Sequence, residues 1–221
     1  MRQPEGIRIA IVGKPNAGKS SLANAILKDQ RTIVSDIAGT TRDAVDLPCT
    51  FKNEHFTLID TAGLRPRAKR DTSVEVFSAI RTEKAIRRAD LTLLVIDLAS
   101  GITAQDRKIA QLILEENKPC LIVLNKFDLY HPGAKKKSRI EEGTEHVKRE
   151  LFFLDYAPVI FTSAKSGFHL DRLLEAVRYV AAQLQQKIPT ALLNRTIEDA
   201  VHDLCRAFRA GLLPDSIDDD R

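Results

Sequence analysis

The sequence predicts an α/β fold: a doubly wound, mostly parallel sheet of six strands with one antiparallel edge pair, followed by a C-terminal helical extension. Three observations carry that reading. Short continuous apolar runs recur along the chain, as strands buried on both faces require. Between them lie segments whose apolar residues recur every three to four positions, the pattern of parallel strands joined by helical crossovers. One pair of strand-like segments is separated by only a short polar stretch, which marks a hairpin.

The elements follow in order. Ile7–Val12 is the first buried strand, and a helical run begins after the glycine-rich residues that follow it. Ala44–Phe51 and Phe56–Ile59 form the antiparallel pair, joined through Lys52–His55. Leu91–Ile96, Cys120–Leu124 and Val159–Phe161 complete the sheet. In the helix after the last strand, Leu170, Leu173, Leu174, Val177, Ala181 and Leu184 fall on one face. Ile188–Pro189 ends that unit, because proline cannot continue a helix. A further helical pattern runs through Leu193, Ile197, Ala200, Val201, Leu204 and Phe208, and a lone helix of that length is expected to dock on something. The segment from Gly211 is acidic and expected to fray. The expected division is therefore a main domain over 5–187 and an extension over 188–221.

Composition excludes several classes. The 221 residues are 43% hydrophobic and 29% charged, with a net charge of +4, the balance of a soluble globular chain. No apolar run approaches the roughly 18 residues needed to span a bilayer. Ile7–Val12 is too short for the apolar core of a signal peptide, so a cytoplasmic location is expected, with no membrane and no DNA partner. Cys49, Cys120 and Cys205 are odd in number and far apart, and the five histidines are scattered, which argues against a disulfide framework or structural zinc. Basic residues cluster at Arg65–Arg70, Arg87–Arg88 and Lys135–Arg139; such runs are usually solvated faces, although they permit a phosphate-rich partner.

Chemistry is concentrated at the ends of the expected strands. Gly13-Lys14-Pro15-Asn16-Ala17-Gly18-Lys19-Ser20 fits the phosphate-binding pattern GxxxxGK[ST], directly after a strand and before a helix. Glycines there let backbone N–H groups wrap phosphates, with the helix N-terminus behind them. Lys19 is expected on the β/γ oxygens and Ser20 on Mg²⁺, with Ser21 beside it. Asp60-Thr61-Ala62-Gly63 follows a parallel strand; Asp60 can hold Mg²⁺ through water, and the Gly63 N–H can meet a γ-phosphate. The polar loop Asp36–Asp43 offers a threonine, Thr41 in preference to Thr40, to ligate Mg²⁺ only while a triphosphate is bound.

Base selection is read from Asn125-Lys126-Phe127-Asp128, at the carboxyl edge where doubly wound sheets bind ligands. The Asp128 carboxylate can accept from guanine N1–H and N2–H₂, donors that adenine lacks, so a site built this way selects GTP over ATP. Ser163-Ala164-Lys165 would supply a backbone N–H to guanine O6, with Lys165 packed along the base. The position after Gly63 is Leu64, whose apolar side chain cannot orient water. The Asn16 side-chain carbonyl can instead point at a monovalent cation beside the phosphates, and hard oxygens of that kind suit K⁺.

Together these motifs resemble those of translation-factor-related GTPases, with a P-loop and a Ras-like G domain. The strings GKPNAGKSSLANAIL, VSDIAGTTRDAVD, LIDTAGLR, IRTEKAIRRADL and IPTALLNR closely resemble the second GTPase domain of the Der (EngA) family, from about Ile7 to about Val201. That resemblance implies a GTP-hydrolysing switch acting in large ribosomal subunit assembly, with the ribosomal large subunit or rRNA as partner of the full-length protein. It also implies potassium stimulation through Asn16, and catalytic roles for Lys19, Thr41 and Gly63. The family carries two tandem GTPase domains and a KH-like domain. This sequence holds one GTPase domain and too little after Thr190 for a whole KH-like domain, as expected of a fragment or a shortened relative. Two alternatives accompany this reading: a GTP/GDP-sensing regulatory module with weak hydrolysis, and a potassium-dependent GTPase of the tRNA-modification type. A P-loop kinase is disfavoured by Asn125–Asp128.

Overall fold

The structure is a computed structural model that describes residues 6–28, 32–34, 46–61, 74–184 and 186–209. It divides into two compact units, Met1–Ala182 and Gln183–Arg221. In the first, strands and helices alternate as β1 (Ile7–Val12), α1 (Lys19–Lys28), β2 (Thr32–Val34), β3 (Leu47–Phe51), β4 (Glu54–Ile59), α2 (Val74–Arg88), β5 (Leu91–Asp97), α3 (Ala104–Glu115), β6 (Cys120–Asn125), α4 (Lys136–Glu150), β7 (Val159–Phe161) and α5 (Leu170–Leu184). The sheet order is β2-β3-β4-β1-β5-β6-β7. β1 pairs in parallel with β4 and β5, β5 with β6, and β6 with β7, while β3 runs antiparallel to both β2 and β4.

The doubly wound, mostly parallel architecture is as the sequence predicts, with one strand added. Thr32–Val34 pairs with Cys49–Phe51 and makes the sheet seven strands wide instead of six. Three residues carry no readable period, and this strand is seen only through its pairing with the edge of β3. The hairpin is also tighter than expected. Phe51 pairs with Glu54, so the turn is Lys52-Asn53 alone, and both residues have positive φ, 48° and 66°. Such a turn matches the twist of the strands it joins, and asparagine tolerates the left-handed region. β3 begins at Leu47; the first residues of the expected segment, 44 and 45, lie outside the described residues.

Two apolar layers sandwich the sheet. On one face Ile9, Ile11, Leu93, Val95, Leu121 and Val123 pack with Leu22 and Ile26 of α1 and with α5. On the other, Val12, Leu94, Ile96, Ile122 and Leu124 pack with Ile86 of α2, Ile113 of α3 and Val147 of α4. This alternation explains why β5 and β6 are apolar at successive positions: both of their faces are core. Five of the six apolar residues expected on the inner face of α5 are buried, but Leu184 at its end is 43% exposed. In the second unit, α6 (Thr190–Arg209) is amphipathic, and its Leu193, Ile197, Val201 and Leu204 are exposed. Among the described residues, no helix is long and apolar enough to cross a membrane.

Candidate functional site

Because β1, β4, β5, β6 and β7 run in parallel, their carboxyl ends meet at one edge, and the described parts of the expected motifs, Gly13–Ser20, Asp60–Thr61, Asn125–Asp128 and Ser163–Lys165, follow those ends. The loop after β1 is shaped by close approach. Gly13 has φ 148°, and a Cβ on it would stand 2.2 Å from the Val95 carbonyl oxygen of β5. Gly18 has φ 97°, and a Cβ there would stand 2.2 Å from Asn125 Nδ2. Neither position accepts a side chain without displacing a neighbour. Asn16, exposed in the loop, takes φ 62°. Lys19 Nζ donates to the carbonyls of Gly13 and Lys14 at 2.8 and 2.7 Å. Burial pulls its ammonium below the usual lysine range, opposed by the negative charge of Asp106. The loop thus encloses a partly desolvated cation at the start of α1, the arrangement that favours an arriving anion.

Asn125 is the hinge of the site. It is 2% exposed; its Nδ2 donates to the Ala17 carbonyl at 3.0 Å, and its Oδ1 accepts from the Ala164 N–H at 3.0 Å. One side chain therefore fixes the loop after β1, the end of β6 and the loop after β7 against each other. Lys126 Nζ reaches Asp97 Oδ2 at 2.6 Å. The half-buried Asp128 carboxylate has no side-chain partner among the described residues, which leaves its oxygens available to paired donors. Within Ser163–Lys165 the Ala164 N–H is engaged by Asn125 and the Ser163 N–H by the Phe168 carbonyl at 3.2 Å. The Lys165 N–H is the one left open in that triplet, among the described residues.

Asp60 sits one residue past β4, whose Ile59 pairs with Ala10 of β1. It has φ 54°, its N–H donates to Asp46 Oδ1 at 3.1 Å, and burial raises its carboxyl above the usual range, moderated by Arg81 and Arg88 and reinforced by Asp46. Thr41 and Gly63, with the segments 35–45 and 62–73 that include Arg65–Arg70, lie outside the described residues. Ser20 and Asp60 supply hydroxyl and carboxylate oxygens, a hard donor set that fits Mg²⁺ held mainly by phosphates and water.

Three contributors are not picked out by the sequence motifs. Asp97 caps the 3₁₀ turn Leu98–Ser100 and pairs with Lys126. Asp106, with Thr103, closes a capping box at the start of α3; the T-x-x-D spacing is a local signal for a helix start and carries no sign of this site. Arg139 of α4 bonds the Phe127 carbonyl inside the base loop, a long-range contact with no local signal.

Comparison with known proteins agrees with this geometry. Residues 8–126 match the family model described as "50S ribosome-binding GTPase". The chain is 58% identical over 192 residues to GTPase Der of Akkermansia muciniphila, covering 87% of this chain and 41% of that protein. It is 46% identical to GTPase Der of Desulforudis audaxviator, covering 89% and 44%. The chain thus spans about two fifths of the length of the curated relatives it matches. Among solved structures, Aquifex aeolicus Era bound to GDP·AlF₄⁻ is similar with a TM-score of 0.58 and 30% identity, over 83% of this chain and 58% of that one. Era in complex with MgGDPNP and a segment of 16S ribosomal RNA is similar with a TM-score of 0.59 and 28% identity, over 84% and 59%.

Proposed function

The chain belongs to the 50S ribosome-binding GTPase family, and from that premise we propose that it is a guanine-nucleotide switch that hydrolyses GTP to GDP and phosphate and acts in assembly of the large ribosomal subunit. The observation that carries the nucleotide reading is the double bond pattern of Asn125, which locks the phosphate loop to both base-facing loops. A nucleotide laid along this edge meets backbone N–H groups at the Gly18–Ser20 end of the loop with its phosphates, with Ser21 behind them. Lys19 turns from its two carbonyls to the β/γ oxygens. Asp128 accepts from the two guanine donors, Lys126 and Lys165 flank the base, and the 163–165 loop donates to O6.

When bound with the nucleotide, Mg²⁺ neutralises charge between the β- and γ-phosphates. Ser20, Asp60 and, in the triphosphate state, Thr41 are the residues that would hold it, while the Gly63 N–H would report the γ-phosphate. K⁺ would add a second positive charge beside the phosphates, held by the Asn16 carboxamide oxygen. Leu64 supports this, since it offers no polar group to orient water. The boundary of the compact units near Gln183 supports a G domain over 5–187, with 188–221 as an extension that starts a KH-like domain. The family description and the Era complex with ribosomal RNA support an RNA partner. GTP turnover with Mg²⁺ and K⁺ tests the reading: the wild type releases phosphate and Lys19→Ala does not. Absence of turnover in the wild type, or full turnover in Lys19→Ala, overturns it.

A further inference from the structure

The base loop is closed by two turn bonds of its own, Leu129 N–H to the Lys126 carbonyl at 2.9 Å and Tyr130 N–H to the Phe127 carbonyl at 3.3 Å. Lys126 takes φ 62°, an unfavourable conformation for a side chain with a Cβ, one residue before Phe127 and two before Asp128. Contacts from outside the loop converge on Phe127, the next residue. The Phe127 N–H donates to the Thr162 carbonyl at 3.0 Å. Its carbonyl accepts from a terminal nitrogen of Arg139 on α4 and from the Tyr130 N–H at 3.3 Å. Two groups pack against its ring. The Arg139 guanidinium lies 4.0 Å from the ring centroid, and the Phe168 ring stacks on it at 5.1 Å with an interplanar angle of 6°.

The two groups reach different parts of the site. Phe168 also receives the Ser163 N–H on its carbonyl, so it holds the 163–165 loop. Lys136, one turn before Arg139 on α4, lies 4.6 Å from the Phe168 centroid. A cation–aromatic stack running Arg139, Phe127, Phe168 therefore couples the two loops that face the base. Arg139 Nε is buried without a hydrogen-bond partner. A guanidinium placed there gives up part of its hydration, and its contact with a ring strengthens as water is removed.

We infer that Arg139 is a positioning residue for base selection, acting through Phe127 to fix where the Asp128 carboxylate meets guanine. The inference rests on the guanine-binding reading above. Arg139 touches no part of the nucleotide in this account; its work is to hold the turn that presents Asp128.

The test is the ratio of dissociation constants for GDP and inosine diphosphate. The two share every phosphate and sugar contact and differ only in the 2-amino group that Asp128 accepts from, so the ratio isolates the base loop. One hydrogen bond to a charged group gives the wild type a preference for GDP of about tenfold or more. In Arg139→Ala that preference falls several-fold toward unity, with GDP binding weakened more than inosine diphosphate binding. Should Arg139→Ala fail to fold, Arg139→Met fills similar volume without donor or charge and carries the same expectation. A wild-type ratio in a folded variant overturns the inference, even if the melting temperature drops. A wild type with no preference for GDP overturns the guanine reading itself, and is seen before any variant is made.

Discussion

Lys14 Nζ lies 3.2 Å from Asp106 Oδ2, a carboxylate with no exposure to solvent, and this contact ties the phosphate loop to the first turn of α3. The same ammonium donates to Ser100 Oγ at 3.1 Å and to the Gly101 carbonyl at 3.3 Å. The Lys14 carbonyl in turn receives Lys19 at 2.7 Å. A residue whose main chain is expected along the phosphates thus has its side chain committed to the scaffold behind them.

Removing that cation leaves the buried Asp106 with hydrogen bonds from the Thr103 N–H and hydroxyl, at 2.9 and 2.7 Å, and the more distant charge of Lys19. Lys14→Met is expected to lower unfolding free energy by about 3 kcal/mol, the cost of stranding one member of a buried pair. Adding Asp106→Asn to Lys14→Met should cost less than Asp106→Asn does alone. Urea unfolding of the two single variants and the double variant measures this; strictly additive effects would mean that the two side chains are not coupled.

Hydrolysis without a glutamine after Gly63 calls for positive charge from elsewhere. If K⁺ sits beside Asn16, turnover in KCl should exceed turnover in NaCl at equal ionic strength by at least about tenfold, a small part of what a positive charge supplies in enzymes with an arginine finger. Asn16→Ala should abolish the difference while GDP affinity changes little. Equal rates in the two salts, or a potassium effect that survives the substitution, would assign the charge to another group.

Thiol chemistry reports on the core. Burial pushes Cys49 up to about 11 and Cys120 up to about 12, while Cys205 is exposed. At pH 8 one thiol per chain should react with a disulfide reagent within minutes, and three after denaturation. The sign for stability follows. The unfolded thiols ionise near 9.0 and the folded ones do not, so this contribution is complete below pH 9.0 and is lost as pH rises toward about 11 and 12. Three fast-reacting thiols in the native chain would contradict the packing of β3 and β6.

Much of this architecture was legible beforehand, for reasons that differ by element. β5 and β6 announce themselves because a strand buried on both faces is apolar throughout, and the face of α5 because its period is long enough to count. The phosphate and base motifs were legible because each needs particular residue types at a fixed spacing. β2 was not, since three residues hold no period. Arg139 and Asp97 were not, because their roles arise from contacts across 12 and 29 positions of sequence. Leu184 fits the helical stripe by spacing, yet it lies at the end of α5, where the stripe runs past the core that buries its other members.

If this edge of the sheet reads guanine through Asp128, competition binding of Asp128→Asn against GDP and xanthosine diphosphate reveals it. Asparagine replaces one of the two acceptor oxygens with a donor, so guanine loses a partner and the xanthine 2-oxo group gains one. GDP affinity is expected to fall by two orders of magnitude or more, roughly the loss of a paired, charged contact, and xanthosine diphosphate to become the preferred ligand. GDP affinity unchanged from wild type, with no gain for xanthosine diphosphate, would contradict that role for Asp128.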